Sequence, residues 1–298
     1  MSEPSSSLRL ANLDYDVADH IATVRFNRPE KRNTFTRQMA LDIGAAIDAA
    51  NADDEVRAVV VTGSGGHFCA GADLESAMTR KLGVDDGFVE VAGSITGVER
   101  DSGGYAALAF ARSLKPVIGA IQGSAVGIGA TMTLPMDVRI VGESTRYGFV
   151  FNRRALTPEA ASTWYLPRVV PPGKAMEWVM TGRLVGAPEA FAAGLANHVV
   201  ADDQVEAKAF EIAAEIVQNT SPVSTTLARQ MMWQGLEATS PWQAHAEESR
   251  AIAERFASDD LVEGIQSFFE KRSPVFPMRV PADLPDVVTR NAERPEGL

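Results

Sequence analysis

The chain of 298 residues has a single cysteine, Cys69, so no disulfide can form within it and an oxidising compartment gains no support. It has no uninterrupted apolar run of about eighteen residues, so no membrane-spanning helix is expected. The opening MSEPSSSLRLANLDYD lacks the basic start and the apolar stretch of a secretory signal. Basic charge is also scarce: 28 Lys and Arg stand against 39 Asp and Glu, a net charge of -11. A general nucleic-acid binder would show a basic face or stripe, so that class is set aside. A local Lys/Arg cluster can still hold a phosphorylated ligand. His198 and His245 have no partners at ligand spacing, and no metal motif is present. The expectation is a soluble cytoplasmic protein with no nucleic-acid, membrane or metal partner.

What is present is an ordinary globular balance, 45% hydrophobic and 22% charged, enough to bury a sizeable core. LDYDVADHIATVRFN reads as a hairpin, with an acidic turn from Asp16 to Asp19 and alternation in HIATVRF. TRQMALDIGAAIDAANAD has helical spacing, with Thr36 placed to cap it. VRAVVVTG (56–63), PVIGAIQG (116–123) and VRIVGE (138–143) are β-branched runs closed by Gly or Glu, as buried parallel strands are. Strands alternating with helices imply an α/β architecture. Residues 78–106 are richer in Gly and acids and lack periodicity, which reads as a mobile, partly helical insertion. From about 204 the pattern is helical, and the proline-rich end reads as an extended tail.

Two glycine-rich loops follow strands and lead into helices: VVVTGSGGHFCAGADLES and VIGAIQGSAVGIGATMTLP. Glycine lets backbone approach a ligand closely, and a helix start leaves N–H groups open to negative charge. Two such ends converging would give a pair of backbone donors for an oxyanion, the main electrostatic aid to a reaction through an enolate. Neither loop carries the Gly-Lys-Ser/Thr ending of a phosphate loop. His67 in the first loop reads as solvent-facing, Cys69 as a small buried residue, and Asp137 as structural.

A third stretch, ALTPEAASTWYLPR (155–168), holds one acid, Glu159, among apolar residues. Thr157 as cap, Pro158 at the first helical position and an acid in the first turn would make it an ordinary helix start. The other reading makes Glu159 a proton carrier. The residues around it leave both open. Arg153 and Arg154, just before it, shape either the site or an interface.

Taken as a set, HFCAGADL and KPVIGAIQGSAVGIGATM resemble the two signature segments of the crotonase (enoyl-CoA hydratase/isomerase) superfamily. FNRPEKRNTF, MTGRLVGAPEAFAAGLANHVV and FFEKRSPVF resemble its flanking segments, so the likeness spans residues 8–277. It implies an α/β fold, a crotonase-like spiral of ββα units with a C-terminal helical trimerisation region. That divides the chain into a core with an acyl-CoA site (1–203), a helical oligomerisation region (204–277) and a tail (278–298). A homotrimer or dimer of trimers is implied, with coenzyme A present only as part of the substrate.

The resemblance also assigns residues. The thioester oxygen would sit between the N–H groups of Ala72 and Ile128; the second position is usually glycine, so the Ile128 side chain would reshape the acyl pocket. Lys31, Arg32, Ala70, Asp73 and Leu74 would contact coenzyme A, Lys271 its nucleotide part, and Phe268 would line the acyl tunnel. Hydratases with two glutamates carry them at positions that are Thr131 and Phe151 here, and neither is an acid. A threonine hydroxyl cannot act as base near neutral pH. Glu159 falls where Δ3,Δ2-enoyl-CoA isomerases carry their catalytic acid. Phe151, Leu156 and Trp164 around it would raise its pKa towards neutrality. The expectation is an isomerase in which Glu159 takes a proton from C2 and returns it at C4. The alternatives are a hydratase of 2-enoyl-CoA and a homologue that only binds acyl-CoA.

Overall fold

The computed structural model describes residues 8, 10–75 and 87–290. Among them, the six-stranded main sheet runs in the order β1 (Leu13–Ala18), β2 (Ile21–Phe26), β3 (Ala58–Gly63), β6 (Val117–Ile121), β8 (Val138–Gly142) and β11 (His198–Val200). Only β1 is antiparallel to its neighbour. A smaller sheet joins β10 (Leu184–Gly186), β9 (Arg146–Gly148) and β7 (Ser124–Val126). β6 and β7, then β8 and β9, thus place successive strands in different sheets, and a short hairpin of β4 (Ser94–Ile95) and β5 (Val98–Glu99) lies outside both. The chain winds as repeated strand–strand–helix turns.

The apolar runs explain this order. Every residue of β3 is buried and the strand pairs in parallel on both sides, which is why its sequence shows no alternation. The first hairpin corrects the sequence reading: Asp16 lies within β1, opposite Thr23, and the turn is Asp19–His20, both left-handed at φ 50° and 64°. Positive φ at both central residues of a two-residue turn suits the twist of the strands it joins. The helix Arg37–Ala52 starts where expected, with Thr36 Oγ1 accepting from the Met39 amide at 3.0 Å. It buries Met39, Ile43, Ala46, Ile47 and Ala50, a stripe at helical spacing.

Residues 78–86 of the expected insertion lie outside the described residues. The remainder is partly helical as expected but packed into the core: 88–92 is helical with Phe88 fully buried, and the helix Ser102–Ala111 packs on Arg37–Ala52 with most of its residues buried. Its run of Gly and Ala hid it, because small residues give little amphipathic contrast. The helix Val205–Asn219 covers the other face of the sheet, its Val205, Ala209, Ala213 and Val217 meeting Val60, Ile118 and Ile140. Helices Pro222–Gly235, Pro241–Phe256 and Asp259–Glu270 follow. The described part of the tail is packed: Val280 and Val288 are buried with Leu114, Val223 and Leu227, and the buried Lys115 ammonium donates to the Val280 carbonyl.

Candidate active site

The segment Arg28–Phe35 clasps the first glycine-rich loop. Asn33, fully buried and left-handed at φ 54°, donates from Nδ2 to the carbonyls of Ser64 (2.9 Å) and His67 (2.7 Å). Arg28 reaches the buried Asp73 carboxylate at 2.9 Å. Backbone bonds finish the clasp: Ala70 N–H to Arg32 O (3.1 Å), Phe35 N–H to Gly71 O (2.8 Å) and Asp73 N–H to Phe35 O (2.8 Å).

The two glycine-rich loops are laced to each other. Cys69 N–H donates to Ser124 O at 2.9 Å and Val126 N–H to Cys69 O at 3.0 Å. Gly71 is at φ +108°, and a Cβ there would press on the Val126 carbonyl at 3.2 Å; one on Gly127, at φ +57°, would reach Gly71 at 3.9 Å. Both glycines are therefore favoured by backbone conformation, and Gly71 by close approach as well. The residues immediately after them are Ala72 and Ile128. Among the described residues, neither the Ala72 nor the Ile128 amide donates a backbone hydrogen bond. Ile128 opens the short helix Ile128–Thr131, so its N–H is a free helix-start donor.

Glu159 meets this helix from the other side. Thr131, fully buried one turn after Ile128, donates its hydroxyl to Glu159 Oε1 at 2.7 Å. The structure overturns the reading of 155–168 as an ordinary helix start. The helix begins at Ser162, its N-cap is Ala161 with no side-chain bond, and Glu159 precedes it. Ala160 and Ala161 are both left-handed (φ 60° and 51°), a costly conformation for alanine that turns the chain sharply after Glu159.

The helix Ser102–Ala111 supplies what sequence reasoning missed. Its N-cap, Asp101, accepts from the Gly104 amide and from the Ala160 amide at 3.2 Å, which sets its carboxyl near Glu159. Two residues on, Gly103 must be glycine: a Cβ there would collide with Glu159 Oε2 and lie 2.7 Å from Ile128 Cδ1. DSGG is a cap followed by two glycines, a signal for a helix start approached by another group, and it stood inside the segment read as an insertion. Burial is the main cause that lifts the Glu159 carboxyl to about 8; the neighbouring Asp101 adds to the rise and the Thr131 hydroxyl opposes it.

The other expected residues are dispersed. Lys31 is exposed and held by Glu75 at 2.6 Å, while Arg32 is exposed and left-handed. Ala70 is half-buried at the clasp, the Asp73 carboxylate is committed to Arg28, and Leu74 is 65% exposed. Phe151 is buried; Trp164 is half-buried, with Tyr165 edge-on to it and the Arg168 guanidinium over its ring at 4.1 Å. Leu156 is 59% exposed rather than part of an apolar lining. Phe268, 78% exposed, and Lys271 sit at the end of Asp259–Glu270; that helix contacts Pro241–Phe256, and nothing among the described residues brings either side chain to Glu159. Cys69 is buried and its thiol pushed up to about 12, mainly by burial, so it is no nucleophile. His67 Nδ1 accepts from the Ser124 amide at 3.3 Å, and Arg153 donates to the Thr181 carbonyl at 2.8 Å. No group of three or more His, Cys, Asp or Glu placed to hold a metal occurs among the described residues, and no described helix is long and apolar enough to cross a membrane.

The sequence pattern of the enoyl-CoA hydratase/isomerase family matches residues 16–279. An enoyl-CoA hydratase of Alternaria alternata is 39% identical over 276 residues, which is 92% of this chain and 89% of that protein. An enoyl-CoA hydratase of Mycobacterium tuberculosis is 34% identical, covering 87% of this chain and 94% of its own length. The crystal structure of an enoyl-CoA hydratase from Bacillus anthracis superposes with a TM-score of 0.80 at 31% identity, over 89% of this chain and 99% of that one. The α/β winding with C-terminal helices is thus the fold expected from the sequence.

Proposed function

The chain belongs to the enoyl-CoA hydratase/isomerase family, and we propose that within it this enzyme moves the double bond of an enoyl-CoA from C3 to C2. The observation that carries the reading is one glutamate, Glu159, held by Thr131 beside the open amide of Ile128, where the two hydratase glutamate positions are Thr131 and Phe151. The thioester oxygen is received by Ala72 N–H and Ile128 N–H, which hold the negative charge of the enolate as it develops. Glu159 takes a proton from C2 and delivers it to C4 on the same face. A carboxyl held near about 8 is matched to that task, since it must accept and return a proton near neutral pH.

Coenzyme A lies along the clasp, where Lys31, Arg32, Ala70 and Leu74 surround its path. Val262, Ile265, Phe268 and Phe269 expose an apolar face on the last helix that a homotrimer or dimer of trimers would cover, bringing Phe268 and Lys271 into use. A second reading, water addition to 2-enoyl-CoA, is favoured by one specific observation: a second carboxyl, Asp101, lies against Glu159. The relatives named above as hydratases add to it.

The test is to mix the purified enzyme with 3-enoyl-CoA and with 2-enoyl-CoA and follow conjugated-thioester absorbance, for wild type and Glu159→Gln. A rise with the 3-enoyl substrate, abolished by the substitution, is the expected result. A fall with the 2-enoyl substrate means hydration and overturns the isomerase reading. Binding without turnover of either, across several chain lengths, leaves a protein that only holds acyl-CoA.

A further inference from the structure

Sequence reasoning left Glu159 as the lone acid of its site; the fold gives it a companion. Asp101 belongs to a helix start more than fifty positions earlier in the chain, yet its Oδ1 accepts from the amide of Ala160, the residue after Glu159, at 3.2 Å, and its carboxyl is among the neighbours that raise that of Glu159. Two neighbouring carboxyl groups hydrogen-bond to each other only when a proton lies between them. Among the described residues the ionisable groups bearing on Glu159 are Asp101, from Ser102–Ala111, and the Cys69 thiol, from the first glycine-rich loop. Thr131 contributes an uncharged hydroxyl, and no Lys or Arg is among the groups that shift Glu159. A cation would have turned the pair into an ion triad with both acids charged. Gly103 completes the arrangement, because any side chain there would displace the carboxylate that Asp101 holds.

We propose that Asp101 is the positioning and proton-sharing residue of this site, so that Glu159 works as one half of a carboxyl pair. The helix cap accounts for the Gly104 bond alone. It does not account for the bond to Ala160, which fixes the left-handed chain after Glu159, or for the contact with Glu159 itself. The catalytic meaning of the pair rests on the reading of Glu159 as the proton carrier. Its consequence is that the proton Glu159 takes from substrate is held between two carboxyl groups rather than by one.

The test reads the proton directly. The carbonyl stretch of a protonated carboxyl is followed by infrared difference spectroscopy across pH in the full chain, for wild type, Asp101→Asn and Glu159→Gln. Asn keeps the cap and the Ala160 bond through its oxygen, and its amide donates to the Glu159 carboxylate. The wild-type band is expected to persist past neutral pH and vanish near about 8. In Asp101→Asn it should vanish at least about one pH unit lower, because a like-charged neighbour is replaced by a donor. A band that titrates unchanged in Asp101→Asn means burial alone holds the proton, and overturns the pair. If Asp101→Asn does not fold, Asp101→Ser, whose hydroxyl also caps a helix start, is read in its place with the same overturning result, and loss of the neutral-pH band in Glu159→Gln assigns that band to Glu159.

A second arm follows kcat/KM against pH with the active enoyl-CoA. Its acidic limb should move down in Asp101→Asn by the same interval, with KM little changed; a limb that stays in place overturns the proton-sharing role while leaving the reaction intact. A shifted infrared titration with no turnover of either enoyl-CoA would instead uphold the pair and sink the proposed double-bond shift.

Discussion

Two acids held at well-defined places behave in opposite ways, and the difference lies in their partners. Asp137 accepts from Arg229 Nε at 2.7 Å, from the Trp233 indole at 2.9 Å and from the Val117 amide at 2.7 Å. Arg229, itself buried, spends its remaining donors on the carbonyls of Phe110, Ala111 and Ser113. Glu159 has a hydroxyl, another carboxyl and no cation. Asp137 ties its own loop to the strand Val117–Ile121 and the helix Pro222–Gly235. Glu159 is poorly compensated, which makes it costly to fold around as a charge and useful as a proton carrier.

That contrast can be broken first by removing the acid proposed to carry the proton. Glu159→Gln should lower kcat on the order of 10²–10⁴-fold while leaving the melting temperature at neutral pH unchanged or higher, as seen by turnover and calorimetry. A stability loss with retained activity would make Glu159 structural. The mirror experiment is Asp137→Ala, which strands the Arg229 guanidinium inside the protein and should cost about 3–5 kcal/mol in denaturant unfolding. An effect below about 1 kcal/mol would mean the carbonyls alone satisfy Arg229.

A pH scan sharpens the comparison further. The folded chain keeps the Glu159 proton up to about 8, while the unfolded chain releases it near the ordinary 4.5. Stability from this group is therefore complete below about 4.5, declines as pH rises towards 8, and is flat above. Measured against Glu159→Gln, wild type should lose on the order of a few kcal/mol across that window, read as unfolding free energy. A wild-type minus variant difference that is constant from acid to alkaline pH would show an ordinary carboxylate. The smallest effect expected is that of Gly103→Ala: about 1–3 kcal/mol of destabilisation from overpacking. Activity should fall with it as the Glu159 carboxylate is pushed aside.

Much of this was legible beforehand because it is local. The Val-rich run of β3, the Thr36 cap and the turn glycines before Ala72 and Ile128 each depend on residues a few positions apart. Glu159 was legible as a candidate because an acid among apolar residues is unusual, but the reason offered for a bland role, a helix start at Thr157, failed. The chain turns through left-handed Ala160 and Ala161 first, and no propensity for alanine foretells that. Asp101 was hidden by a different cause. Its helix is built from Gly and Ala, so the pattern carried little contrast, and its partner lies in another turn of the spiral.

The sequence alone determined the buried strands, the Thr36 cap and the glycine turns before Ala72 and Ile128, which follow from residues acting over short spans, and its signature segments carried the family. Tertiary structure alone decided what that acid is. Only the packing of Ser102–Ala111 against the Ile128–Thr131 helix and the 155–161 loop brings a second carboxyl to Glu159 and keeps every described cation away from it. Protonation is a property of the assembled surroundings: burial penalises charge, and a neighbour distant in sequence acts through space.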